Sequence, residues 1–147
     1  MRVVIGGQGS AFLLKEAVKE YLTGKGYEVF DAGQTRPEDS GFYFLDTVRG
    51  VAEKILSGQC ERGIVMCGSG AGVSLAANKI KGIYCVPCES IFTAERIYTY
   101  NQANVMAMGA MAVTPQKACE MAEAFLQSTC DKGALEHIQK MEEQYFK

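Results

Sequence analysis

Short β-branched runs alternate with segments of helical periodicity along the whole chain, and that alternation restricts the fold more than any other feature. Arg2-Val3-Val4-Ile5 reads as a first strand; Leu13, Leu14, Ala17, Val18, Tyr21 and Leu22 then recur at helical spacing until Gly24 and Gly26 stop the helix. Residues 27–30 form a second strand, residues 34–41 a polar loop, and Phe44, Val48, Val51, Ala52 and Ile55 a second helix that ends at Ser57-Gly58. A third strand covers residues 63–66. The pattern continues with a helix from about 71, a strand over 83–86, a helix from about 92, a strand over 104–108, a helix over 115–126 and a polar helix from about 133.

Strands separated by helix-length connections pair in parallel, because a parallel neighbour can be reached only through a crossover. The expected fold is therefore α/β: a doubly wound parallel sheet of about five strands with helices on both faces, a Rossmann-like three-layer sandwich. Ligands in such folds lie beyond the carboxyl ends of the strands. That rule brings three segments to one rim: Gly6-Gly7-Gln8-Gly9-Ser10, Cys67 to Gly72, and Cys88-Glu89-Ser90.

At 147 residues and 48% hydrophobic content the chain is sized for one domain with its own core, taken as 1–147. A formal net charge of −2 with no basic stripe excludes the usual electrostatics of nucleic-acid binding. The apolar runs are strand-sized and MRVVIGG lacks the features of a signal peptide, so no membrane partner is expected and the cytoplasm is the expected location. In that compartment the six cysteines, at 60, 67, 85, 88, 119 and 130, are expected as thiols.

Most of the chemistry-bearing residues have a structural reading. The spacing of Gly6, Gly7 and Gly9 does not make a dinucleotide fingerprint. Cys85 and Cys88 have the spacing of a redox or zinc pair but no second pair to complete a metal site, and read as buried thiols. His137 is the sole histidine and falls in the polar last helix, where a solvated face is its expected place. Met106 and Met108 alternate on a strand as core residues.

The segment CGSGAGVSLAANK, residues 67–79, resists such a reading. Gly68, Gly70 and Gly72 allow backbone amides to turn inward at a helix start, where unpaired N–H groups favour an anion. The same field favours thiolate over thiol at Cys67. A thiolate beside an oxyanion nest suits proton abstraction next to a carbonyl, since charge leaving the C–H bond settles on donors already in place. The alternative is a plain strand-to-helix turn that needs glycine for packing.

MRVVIGG, LKEAVKEYLTGKGYEVFDAG, RGIVMCGSGAGVSLAANKIKGI, the FTA of residues 92–94 and NQANVMAMGA together resemble the family of ribose-5-phosphate isomerase B and the two subunits of galactose-6-phosphate isomerase, over nearly the whole chain. CGSGAG followed by AANK is the most specific match. The resemblance implies Cys67 as the base that moves a proton between C1 and C2 of an open sugar, Ser69 in place of the family's usual threonine, and the amides of Gly68, Gly70, Ala71 and Gly72 as the enediolate site. It implies no metal and no organic cofactor, and a homodimer or tetramer in which Tyr98, Tyr100 and the final helix, about 133–147, approach the rim of the partner.

The departures fall on substrate recognition. Gln8-Gly9 replaces the family's Asp-His, and Tyr100 replaces the histidine before Asn101, the group to which ring opening is assigned. Met111 stands where the family carries arginine, KGALEHIQK replaces its arginine-rich C-terminal segment, and Tyr43-Phe44-Leu45 replaces its Asp-Tyr-Pro. Gln8, Tyr100 and Asn101 are thus expected at the substrate site in altered form. The chain reads as an aldose–ketose isomerase acting on a sugar phosphate or a related, unphosphorylated sugar; a non-catalytic subunit or a sugar-binding homologue is the alternative.

Overall fold

The computed structural model describes residues 1–39 and 43–145; the end of the predicted polar loop and the last two residues of the predicted final helix lie outside them. Five strands, β1 (Arg2–Gly7), β2 (Glu28–Asp31), β3 (Arg62–Cys67), β4 (Cys85–Pro87) and β5 (Val105–Gly109), alternate with helices α1 (Phe12–Gly24), α2 (Phe44–Leu56), α3 (Ala71–Ala77), α4 (Ile91–Asn101) and α5 (Pro115–Gln127), followed by α6 (Leu135–Tyr145). All neighbouring strands pair in parallel in the order β2-β1-β3-β5-β4. This is the doubly wound sheet expected from the alternation.

Because successive side chains on a strand point to opposite faces, each strand feeds two cores. Val3, Ile5, Ile64, Met66, Met106 and Met108 meet α1, α4 and α5 through Leu14, Val18, Ile97 and Phe125. Val4, Val65, Val105 and Ala107 meet α2 and α3 through Val48, Val51, Val73 and Ala77. The helix ends follow local chemistry: Ser90 Oγ accepts the Thr93 N–H at the start of α4, and Thr114 Oγ1 accepts the Lys117 N–H ahead of Pro115 in α5. Among the described residues no helix is long and apolar enough to cross a membrane.

The edge strand β4 starts at Cys85, two residues later than its apolar run predicts, where the Asn104 side chain takes the Tyr84 N–H, and the Asn78 side chain clips its outer edge. Asn78 donates to the Cys85 carbonyl and accepts from the Cys85 N–H, both at 2.8 Å. Asn104 binds the Gly82 carbonyl and the Tyr84 N–H in the same way, also at 2.8 Å. Helix α6 has no buried residue and is tied to the body by a bond from Tyr84 Oη to Glu142 at 3.0 Å.

Two charged side chains are buried among the described residues: Arg62, 5% exposed and bonded to the Phe125 and Ser128 carbonyls, and Lys15. Lys15 on α1 is 0% exposed, with Nζ 2.6 Å from Asp31 at the end of β2, 2.7 Å from Glu16, and bonded to the Gln34 carbonyl. Lys19 approaches the same Asp31 oxygen at 2.9 Å. Gln34 then accepts the Gly9 N–H at 2.9 Å and donates to the Arg36 and Pro37 carbonyls, so the buried cation braces the loops that follow β1 and β2.

Burial alone would raise the Asp31 carboxyl, but Lys15, Lys19 and the Gly33 N–H outweigh it and hold its pKa below the ordinary carboxylate value. A depressed folded-state pKa contributes stability above the unfolded value near 4, lost as the pH falls through the folded one. Asp31→Asn is expected to destabilise the fold at pH 7 by about 3 kcal/mol, the cost of breaking a buried pair. The gap between variant and parent in urea unfolding should narrow below about pH 4. A gap independent of pH would show that the carboxylate charge is not what Asp31 contributes.

Candidate active site

The strand order reverses between β1 and β3, so the chain leaves β1 toward one face, into α1, and leaves β3 toward the other, into α3. In doubly wound sheets a reversal of this kind is where ligands bind, at the carboxyl edge. Gly7 pairs in register with Met66, and Cys67 with Gly109, which sets the ends of β1, β3 and β5 level at this edge. Gln8 follows β1 and is partly exposed; its carbonyl accepts the Ala11 N–H at 3.0 Å, closing a short 3-10 turn over Gly9–Ala11.

Cys67 is the last residue of β3 and half-buried. Its Sγ accepts the Gly70 N–H at 3.2 Å, so the loop after it folds back over the sulfur. The turn needs a left-handed residue, supplied by Gly70 at φ +82°; a Cβ there would also come within 3.0 Å of the Met108 carbonyl carbon. Ser69 is exposed and its Oγ accepts the Ala71 N–H at 3.2 Å. Among the described residues the Gly68 and Ser69 N–H groups have no acceptor. These two free amides beside a held sulfur can receive a substrate oxygen.

The neighbouring turn locks this loop from below. Ala110 N–H bonds the Cys67 carbonyl and Met111 N–H the Gly68 carbonyl, both at 2.9 Å, which carries the β3–β5 pairing past the strand ends. Gly109 passes so close to Ser69 that a Cβ would lie 2.5 Å from its carbonyl carbon.

Gln8, Cys67, Gly68, Ser69, Gly70, Ala71 and Gly72 thus share one rim. Tyr100 and Asn101 do not join them. They end α4, which starts at the carboxyl edge and runs back for 11 residues, about 16 Å, to the amino edge, where Asn104 accepts the Gly63 N–H. The segment before α6 is at that same edge, with the Ala134 N–H on the Tyr100 carbonyl at 2.7 Å. Within one chain, Tyr100, Asn101 and Ala134 are therefore remote from Cys67.

Three residues with no assigned part in the chemistry stand at the rim. Ser10 Oγ and the Met111 methyl lie 3.3 and 3.4 Å from the position a Cβ on Gly68 would take, and the Phe44 ring lies 3.6 Å from that of Gly72. The sequence places Ser10 at the rim without a role, marks Met111 only as a departure from a family pattern and Phe44 as such a departure and a helix position; the brace of Lys15, Asp31 and Gln34 behind the first loop is invisible in it. Asn78, part of the AANK signature, clips β4.

The other thiols lie apart from this chemistry. Burial pushes Cys85 and Cys88 up to about 12, which leaves both protonated at neutral pH.

Residues 3–143 match the Ribose/Galactose Isomerase family. The chain is 41% identical to a 4-deoxy-4-sulfo-D-erythrose isomerase of Clostridium sp. (strain MSTE9) over 147 residues, 100% of this chain and 89% of that one. It is 32% identical to a D-erythrulose-4-phosphate isomerase of Pectobacterium atrosepticum over 133 residues, 90% and 87% of the two chains. Among solved structures, ribose-5-phosphate isomerase B of Clostridium thermocellum superimposes with a TM-score of 0.90 at 33% identity, covering 99% of each chain.

The contrast among the thiols is measurable. Brief treatment with iodoacetamide at pH 7.5, followed by peptide mass analysis, should modify Cys67 and spare Cys85 and Cys88, since alkylation needs an accessible thiolate. Equal labelling of the three would contradict this arrangement of the rim.

Proposed function

The chain belongs to the ribose/galactose isomerase family, and from that premise we propose that it converts a four-carbon aldose bearing an anionic group on C4, a sulfonate foremost, into the corresponding ketose. The observation that carries the reading is Cys67 Sγ held against the Gly70 N–H, at 3.2 Å, beside the free amides of Gly68 and Ser69.

In this reaction Cys67, as thiolate, removes the C2 proton. The electron pair left behind forms the C1–C2 double bond, and the carbonyl π pair moves to the C1 oxygen, which the Gly68 and Ser69 amides receive. Ser69, whose Oγ already accepts from Ala71, keeps its own hydroxyl proton for a substrate oxygen and passes the O2 proton to O1. Return of the proton from Sγ to C1 completes the ketose. Substrate and product are isomers, and the step consumes nothing.

The altered positions support the choice of sugar. In 4-deoxy-4-sulfo-D-erythrose the sulfonate replaces the C4 hydroxyl, and in a tetrose 4-phosphate that oxygen is esterified; neither can close a five-membered ring on C1. A substrate that is always open needs no acid to open it, which suits a chain with Gln8-Gly9 and Tyr100 in place of the family's histidines. A sulfonate carries one negative charge where a phosphate carries nearly two, and Met111 replaces the family's arginine. The 41% relative bears the name of such a sulfonate.

The active unit is a symmetric homodimer, able to pair into a tetramer. Tyr100, 59% exposed at the amino edge, and Asn101 reach a Cys67 rim only from a second copy. Sedimentation at micromolar concentration should give a dimer or tetramer, and a monomer would count against this assembly.

The chemistry is tested by incubating the purified chain with 4-deoxy-4-sulfo-D-erythrose in D2O and following C2 deuteration and ketose formation by NMR. Cys67→Ser should lower turnover by at least about 100-fold, typical of a lost general base, with circular dichroism unchanged. A wild-type chain that exchanges neither the C2 proton of any aldose nor a C1 proton of any ketose in a panel of such sugars would be a non-catalytic homologue.

A further inference from the structure

We propose that Met111 is the specificity-determining residue that limits the substrate to four carbons, its thioether forming the wall against which a longer chain fails to fit. The inference rests on the reaction proposed above and adds a residue to it.

Three observations place that wall. The Met111 backbone is not free to move relative to the reacting loop, because its N–H bonds the Gly68 carbonyl at 2.9 Å directly after the Ala110 bond to Cys67. Its side chain is 81% exposed and yet leans onto the loop: the methyl carbon and the sulfur lie 3.4 and 3.7 Å from the position of a Cβ on Gly68. Phe44 stands in the same relation to Gly72, its ring 3.6 Å from the position of a Cβ there. The two apolar groups therefore flank the segment that carries the free Gly68 and Ser69 amides, with Ser10 Oγ as the polar neighbour of Gly68.

A substrate whose C1 oxygen takes those amides and whose C2 lies at Cys67 Sγ must lead its remaining carbons out past this flank. Each further carbon adds roughly the length of one methylene, and a pocket wall distinguishes one methylene by about 10 to 200-fold. A thioether also gives nothing to an anion carried against it, having no N–H or O–H to donate. One carbon more brings the anionic end of the chain to Met111, where it loses water and gains no donor.

The test compares kcat/KM for 4-deoxy-4-sulfo-D-erythrose and for 5-deoxy-5-sulfo-D-ribose in the wild-type dimer, Met111→Ala and Met111→Leu. The pentose closes a ring and the tetrose does not, but that equilibrium is a property of the sugar and is the same for all three proteins, so changes in the ratio report the site. The wild type should favour the tetrose. Met111→Ala should reduce that preference by at least about 10-fold through a gain on the pentose, and Met111→Leu, close in volume, should retain it. A ratio unchanged in Met111→Ala would overturn the inference. So would an equal loss on both sugars, which would make Met111 a support for the loop and not a wall. Absence of C2 proton exchange in the wild type with either sugar would overturn the reaction itself, a result read independently of the ratio.

Discussion

Parallel pairing between β1 and β3 is the constraint on which the rest of the molecule depends. Parallel strands deliver all their carboxyl ends to one edge, and the reversal of strand order at this pair sends α1 and α3 to opposite faces. The loops that carry Gln8 and Cys67 then meet at this edge, with Ser10 Oγ 3.3 Å from the position of a Cβ on Gly68. The register of Gly7 on Met66 and Cys67 on Gly109 sets the strand ends level there. Two apolar cores cover the sheet and leave the edge, where backbone groups lack ladder partners, as the place for polar chemistry.

The two sides of the rim are made rigid by different means. On the β3 side the means is backbone: bonds from Ala110 and Met111 extend the ladder, and the contact of Gly109 with Ser69 admits no side chain. On the β1 side the means is a buried charge, Lys15, satisfied by Asp31, Glu16 and Gln34, with Gln34 passing the constraint to Gly9. Backbone pairing costs no desolvation of charge, whereas an unpaired Lys15 would be strongly destabilising. That ties the rigidity of the first loop to the ionisation of Asp31, whose carboxyl its lysines hold below the ordinary range.

In the proposed reaction the chemistry of the site and its recognition of substrate have separated. The proposal gives the proton transfer to Cys67, the adjoining amides and Ser69, and gives the change of substrate to Gln8-Gly9, Tyr100 and Met111. Loss of ring-opening groups together with loss of a phosphate arginine is what a short, permanently open, singly charged substrate would permit. The two losses fall on different elements, the turns after β1 and β5 and the end of α4, so one change in substrate accounts for both better than the decay of a single loop would.

The periodic pattern alone determined the strand and helix order, the parallel sheet and the rim holding Cys67, because hydrophobic spacing is local and each crossover leaves a single direction of pairing. The motif CGSGAG likewise determined the turn after β3, since Gly70 at φ +82° takes a backbone conformation that few other residues adopt. What only the tertiary structure decided depends on residues far apart in the chain. Asn104 took the Tyr84 N–H just ahead of β4, Asn78 clipped the outer edge of that strand, and Lys15 became a buried brace although its helical position reads as amphipathic surface. Tyr100 and Asn101 came to the edge opposite Cys67 because α4 must run back across the sheet before β5 can pair in parallel. Met111, on the surface, came to lie over Gly68 because strand pairing carried it there, a relation that no spacing in the sequence encodes.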